Sequence, residues 1–320
     1  MYNPVRELTL LALLAAALCQ AQTTEQWYDY NWKPCEPAMA RFYGTLEKTD
    51  SGWYRKDYFL RSGHPSLQME GLFEDEACTI QNGEARYYYP NGRLQSAGRR
   101  INGRREGICV SYHSNGMMYD SAYWHDDLPQ GIRYRWHRNG YLADSLHYHG
   151  DGTRTEVTWW DNGALASAGI VRNEQLQGKW KFWHPNGQLA AEEVYDNGKV
   201  ISKTYYNEDG SPHPDTATAS REAVFAKGGM DGWRRYLENK VNWPVRYKLE
   251  NTNTVTVGVQ FCVNEEGKVV EVEMAVPFDP VFDEEAMEII RKSPPWLPGL
   301  WHNIRVKAWR RQPLTFQQEE

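Results

Sequence analysis

The sequence predicts a mainly β protein with an α+β tail: an elongated antiparallel β-hairpin repeat array followed by a small α+β domain. Three observations lead there. A short turn phrase recurs with a period near 24 residues through the middle of the chain. Apolar and polar residues alternate on either side of each phrase, which is the period-2 signature of strands. Beyond Gly210 the phrase stops and helix signals return.

Composition agrees with two domains in 320 residues, and the mean hydropathy of −0.74 rules out a polytopic membrane protein. A net charge of −6 argues against a non-specific grip on nucleic acid. The 14 Trp and 20 Tyr separate the chain from disordered sequences, which lack aromatic rings.

Residues 1–21 read as a signal peptide. Arg6 supplies the positive start, and Leu8 to Leu18 is an apolar run too short to cross a bilayer. Small residues at Cys19 and Ala21 place cleavage before Gln22, so the expected location is the periplasm. The alternative is an uncleaved anchor. Cleavage leaves Cys35, Cys78, Cys109 and Cys262. Cys35 and Cys78 are a candidate pair, whereas Cys109 and Cys262 lie in strand-like runs and read as buried thiols. Residues 22–52, with Trp27, Tyr28, Tyr30 and Trp32, read as a cap on the first repeat.

The repeats occupy residues 53–210, six to seven copies. An aromatic-x-x-Asn-Gly phrase starts at Tyr88, Tyr112, Trp136, Trp159 and Trp183, and Tyr206 begins a variant ending in Asp209-Gly210. The glycines at 92, 116, 140, 163, 187 and 210 set the register. A leucine or methionine follows each of the first five turns, and a second glycine precedes the turn glycine by nine residues at Gly83, Gly107, Gly131 and Gly178. Asn-Gly suits the positive φ of a type I′ hairpin turn. Ile132, Tyr134 and Trp136 share one face, which Ile108, Val110, Tyr112, Val157 and Trp159 extend; the expectation is a buried ladder, each ring packing on its counterpart in the next copy. Trp180 and Phe182 break this alternation, and the expected reason is packing against a neighbouring domain.

On these residues the array resembles the MORN-type repeats in their bacterial, antitoxin-like variant. The resemblance implies an elongated antiparallel sheet that serves as an interaction scaffold, with no enzymatic residues.

Residues 211–228 read as a linker, rich in Pro, Thr, Ala and Ser. Residues 229–320 then show a helix from Gly229 to Val241, a strand with Val255, Val257, Val259, Phe261 and Val263 on one face, and a turn at Asn264–Gly267. A second strand at Val269–Val276, a helix starting near Pro280, and a last alternation through Ile304, Val306 and Ala308 toward Phe316 complete the tail. With Asp283-x-x-Ala286, Trp296-x-Pro298-Gly299 and Pro313-Leu314-Thr315-Phe316, this order resembles the TonB C-terminal domain. The resemblance implies a domain that adds a short extended peptide from an outer-membrane TonB-dependent transporter, or another envelope protein, to a free sheet edge. The receptive edge maps to Ile304, Arg305, Val306, Lys307 and Trp309. The competing reading makes these charges guards against aggregation. Whether the domain also forms a homodimer is left open.

No phosphate loop, zinc-protease or serine-hydrolase phrase occurs, so neither an enzyme nor a cofactor is expected. His113, His137 and His184 repeat in register and read as surface positions; with His147 and His149 they are weak metal candidates, and none is assigned a metal. Glu192-Glu193 reads as a solvated face. The expected function is a non-enzymatic protein-binding scaffold. The alternatives are a TonB-type energy transducer with an uncleaved anchor, and glycan or cell-wall binding through Trp159, Trp160, Trp180 and Trp183.

Overall fold

The computed structural model describes residues 23–61, 64–213, 221–244, 247–249, 252–302 and 304–318. The expected signal peptide, and the 214–220 part of the expected linker, lie outside the described residues. Fifteen strands run in sequence order through one antiparallel meander, from β1 (Thr23–Tyr28) to β15 (Lys199–Tyr205). The described part of residues 22–52, expected as a cap, supplies β1 and β2 (Phe42–Thr49), which extend the sheet beyond β3 (Gly52–Arg61). Their aromatics pack there, with Trp32 stacked on Phe42 at 4.2 Å and Trp27 at 4.6 Å from Tyr43.

The two ends of the sheet use different turns. Between β5 (Gln81–Tyr88) and β6 (Leu94–Ile101), the Gly92 N–H donates to the Tyr89 carbonyl at 2.8 Å, and the Tyr89 N–H donates to Arg93 at 2.9 Å. Only Gly92 has positive φ in this phrase, so the turn is a three-residue loop closed by a left-handed glycine rather than the expected type I′. The type I′ turns lie at the opposite end. One joins β6 to β7 (Arg104–Tyr112) through Asn102-Gly103, and another joins β8 (Met118–His125) to β9 (Leu128–Trp136) through Asp126-Asp127; both residues of each pair have positive φ. The phrase asparagine has a different use. The Asn91 Oδ1 accepts from the Arg93 N–H at 3.1 Å, and its Nδ2 donates to Ser114 O of the next turn at 2.9 Å. Asn115, Asn139, Asn162 and Asn186 repeat the same bond, to Arg138, Asp161, Pro185 and Glu208.

A second link joins the copies. Counterpart rings are two strands apart, about 10 Å at ordinary strand spacing, so they cannot stack directly. None of the ring pairs among the described residues joins equivalent positions, which corrects the expected ladder. The residue after each phrase aromatic instead donates from its ring to a carbonyl in the next copy. Tyr89 reaches Tyr112 O at 2.8 Å, His113 reaches Trp136 O at 2.7 Å, His137 reaches Trp159 O at 2.8 Å and Trp160 reaches Trp183 O at 2.8 Å. His184 closes the series on Tyr206 O at 2.9 Å. A carbonyl only accepts, so each of these imidazoles carries its proton on Nε2. Their register thus comes from stapling one copy to the next. Replacing Asn115 by alanine is expected to cost about 1 kcal/mol, read as a lower urea midpoint at unchanged slope.

The face expected to be buried is largely open: Ile108 is 68 % exposed, and Tyr134 is also exposed. The opposite face is the covered one, carrying Trp124, Leu146, Trp180 and Phe182 together with buried Asp57, Asp120, Asp144 and Glu193. Charges survive burial only when paired. Arg55 holds Asp57 at 2.9 Å, Arg135 holds Asp144 at 2.7 Å, and Arg133 holds Asp120. Long arginine stems cover the sheet as an apolar side chain would.

The rest of the chain forms an α+β unit. β16 (Val224–Phe225) pairs with β19 (Trp296–Leu297), so residues from Ala223 on pack into its core although the sequence reads them as linker. Then come α1 (Gly229–Lys240), β17 (Thr254–Val263), β18 (Val269–Val276), α2 (Pro280–Arg291), β20 (Gly299–Trp301), β21 (Ile304–Val306) and β22 (Ala308–Gln317). The expected order of helix, strand, strand, helix, strand is present. β17 lies between β18 and β22 and buries Val255, Val257, Val259, Phe261 and Val263 against Phe282, Ile290 and Trp233 of the two helices. α2 starts where Asp279 accepts from the Val281 N–H at 3.0 Å and Pro280 needs no donor.

Candidate binding surface

The α+β unit docks on the covered face of the array and against its phrase turns. At one end the Arg41 guanidinium donates to Thr256 O at 2.6 Å and lies 4.0 Å over the Phe278 ring, while Arg61 sits 3.1 Å from the buried Asp283 carboxylate. Burial pushes the Asp283 carboxyl up to about 6, against the opposing pull of the Phe278 N–H and of Arg61 and Arg41. In the middle, Arg138 of a phrase turn pairs with Glu271 at 2.9 Å and with Glu273. At the far end Phe182 of β13 (Gln175–Trp183) stacks on His302 at 3.8 Å and meets Trp301 edge-on at 5.3 Å. The expectation that Trp180 and Phe182 pack on a neighbouring domain is met.

Beneath that stack Glu193 is buried, not solvated. Glu192 and Glu193 point to opposite faces because successive strand residues alternate. The Glu193 carboxylate accepts from His302 Nδ1 at 3.1 Å, from Tyr205 Oη at 2.8 Å and from Tyr195. Burial alone would push Glu193 up, but these bonds outweigh it and hold the carboxyl below its ordinary range. The carboxylate and the two phenols come from the array, and the imidazole comes from the α+β unit, so the His302 bond is the one that crosses the interface. His302 and Glu193 lie 109 positions apart, and no sequence motif links them.

The five residues mapped as a receptive edge are divided by this interface. Ile304 is 5 % exposed and packs in the cluster with Trp180 and Phe182, while Arg305 and Val306 lie in the short hairpin of β20 and β21. Lys307 pairs with Asp161 of a phrase turn, and Trp309 sits under Arg138 at 5.2 Å. One edge of the three-stranded sheet is β22, beginning at Ala308, and only Trp309 of the five belongs to it. Among the candidate stacking platforms Trp180 is 2 % exposed, with its ring N–H on Ile170 O at 3.0 Å. Trp160 is held by Trp183 O and packs on Trp301, and Trp159 and Trp183 are half-buried. The arrangement does not present four open rings to a sugar. Cys35, Cys78, Cys109 and Cys262 are all free, which corrects the candidate Cys35–Cys78 pair.

β22 itself offers a more definite surface. The Gln318 N–H donates to Asn253 O at 2.7 Å, and β22 pairs with β17 in unbroken register. Antiparallel alternation then turns the backbone groups of Arg311, Pro313, Thr315 and Gln317 away from β17. Pro313 lacks an N–H, and at an outward position it removes no ladder bond. Among the described residues these outward groups have no backbone partner. Beside them runs a groove of about 1110 Å³, walled by Leu237 and Val241 at the end of α1, Trp243 and Tyr247 beyond it, and Pro313 and Thr315 of the strand.

A family model described as a MORN repeat variant matches residues 81–101 and 176–197, two segments that each contain one phrase turn. The chain carries MORN-variant repeats. No curated protein matches it. Among solved structures, the crystal structure of a GtfA/B complex bound to UDP and GlcNAc aligns at 13 % identity over 54 % of this chain and 38 % of that one, with a TM-score of 0.17. This chain therefore spans well under half the length of that structure's chain, and so low a score carries no argument about shape or activity.

Proposed function

We propose that this protein is a non-enzymatic, exported binding scaffold of the cell envelope. In this reading the MORN-variant array is a platform, and the α+β unit docks an extended peptide of an outer-membrane partner by strand addition. The observation that carries it is the outer edge of β22, unpaired among the described residues, alongside a groove of about 1110 Å³. Main-chain bonds to such an edge give affinity, and pockets beside it give specificity. The TonB-like order of elements supports the choice of partner class, and the apolar run at Leu8 to Leu18 supports export.

The test is a titration of the full chain with synthetic N-terminal segments of outer-membrane transporters, followed by amide NMR. Shifts confined to residues 309–317 and to the groove wall at Leu237, Val241, Trp243 and Tyr247 are expected. Thr315→Pro removes an outward donor while keeping every backbone bond to β17, losing there only the exposed Thr315–Thr256 hydroxyl bond, and should weaken binding about tenfold, a loss of about 1.4 kcal/mol, with a small change in melting temperature. Shifts located elsewhere, or equal binding by the variant, would rule out the strand-addition mode.

A further inference from the structure

The covered face of the array has an open depression away from the docked unit, and its floor is built from small residues. Across β5 to β8, Ala85 stands opposite Gly98 and Cys109 opposite Ala122. A Cβ at position 98 would lie 2.6 Å from the Cys109 sulfur, so the glycine is needed for this close packing. Taller side chains rise around the floor and enclose a pocket of about 250 Å³. That is below the roughly 300–1,000 Å³ of drug-sized sites, and suits one small ring.

The lining is cationic and rich in unused donors. Three arginines, at 100, 105 and 133, face a single carboxylate, Asp120, already bound by Arg133, while strand alternation turns Arg99 to the other face. Arg105 lies flat on the Trp124 ring at 3.4 Å, and its Nε is held by Asp127 at 2.8 Å. Its Nη1 and Nη2 have no partner among the described residues, so a planar fork is fixed in place and free to bind. Ser96 and Ser111 stand directly opposite each other, their hydroxyls without a hydrogen-bond partner among the described residues. Gln81 also lines the pocket; it is only 8 % exposed, yet its Nε2 has no hydrogen-bond partner. Leaving a buried donor unsatisfied costs about 1–3 kcal/mol, which a bound acceptor would recover.

We propose that this pocket is a binding site for an acidic sugar of the uronic-acid class. A fixed guanidinium fork matches a carboxylate through two parallel hydrogen bonds. The hydroxyls of Ser96 and Ser111 and the Gln81 amide suit ring hydroxyls, which a bare inorganic anion does not need. The half-open ring of Tyr87 supplies an apolar wall for the sugar face. The site lies apart from the β22 edge and requires no peptide partner.

Calorimetric titration of the full chain with D-glucuronate, D-glucose and inorganic phosphate tests the proposal. Glucuronate should bind at least about tenfold more tightly than either of the others, and Arg105→Gln should cost about tenfold in affinity. If that variant melts early, the Ser96→Ala, Ser111→Ala double variant decides instead, with an expected loss of about fivefold. No heat with glucuronate, phosphate binding as tight as glucuronate, or unchanged affinity in the folded variants would each overturn the assignment.

Discussion

Replacing Phe182 by alanine is expected to destabilise the protein by about 3–5 kcal/mol and to release the α+β unit from the array. The ring is wholly buried between Trp180 at 5.9 Å, Trp301 at 5.3 Å and His302 at 3.8 Å. Deleting it opens a cavity and also admits water to Glu193, whose burial depends on that cover. Two losses are therefore coupled: dispersion contacts of a large ring, and the dry setting that strengthens the bonds to His302 and the two phenols. Denaturant unfolding reads the first. Hydrogen exchange reads the second, as lost protection at Trp301 and Ile304 with the hairpins of β5 to β9 still protected. A loss under about 1 kcal/mol, with Trp301 and Ile304 still protected, would mean that Arg41, Arg61 and Arg138 hold the unit without this ring. Phe182→Leu should fall between the two, since it retains most of the buried carbon.

Local patterns are legible in the sequence because each is enforced within a few residues. The strand Val269–Val276 and the helix starting at Gly229 appear where alternation and helical spacing put them. The phrase register was equally legible, but not its turn type. Asn-Gly fits either a type I′ pair or the tail of a longer loop, and the choice is made by the asparagine side chain bonding a turn in the next copy. Tyr28-Asp29-Tyr30-Asn31-Trp32 adopts the same loop at the start of the sheet, with Trp32 at φ 61 in the glycine place. That copy was hidden because its defining glycine is a tryptophan. The covered face is opposite to the one that hydrophobic alternation indicates, for another reason. Arginine–aspartate pairs cover it, and residue hydrophobicity gives such pairs the opposite sign. The docking interface was least visible, since Arg41 and Thr256 are 215 positions apart. Only the doubled aromatic face at Trp180 and Phe182 hinted at it.

Acidification from pH 7 to 5 is expected to strengthen the same interface, which is unusual for one containing ion pairs. Asp283 is fully buried, and its folded-state carboxyl is raised from an ordinary 3.8 to about 6. A carboxyl whose folded value lies above its unfolded one binds more protons in the folded state between the two values. Stability then falls as pH rises through that window and stays low above it. A shift of this size corresponds to about 3 kcal/mol for the single group. Glu193 has the opposite sign: its folded value is depressed, so its contribution is present above the ordinary glutamate range and is lost as pH falls through the folded value. The two windows separate, and a stability maximum on the acid side of neutral follows. Asp57, also raised by burial, adds to the Asp283 slope, so the wild-type curve alone does not identify the group. Asp283→Asn does. The amide oxygen can still accept from the Phe278 N–H, now 2.8 Å from Asp283 Oδ1, but the group no longer titrates. Denaturant midpoints measured at pH 5 and pH 7 should converge in the variant by most of the wild-type difference. An unchanged difference would place the slope at Asp57 or at His125, whose bond to Glu106 raises it, both away from the docked unit. A wild type less stable at pH 5 than at pH 7 would mean that Arg61, at 3.1 Å, keeps Asp283 ionised despite its burial, or that His113, lowered by burial, outweighs it in this window.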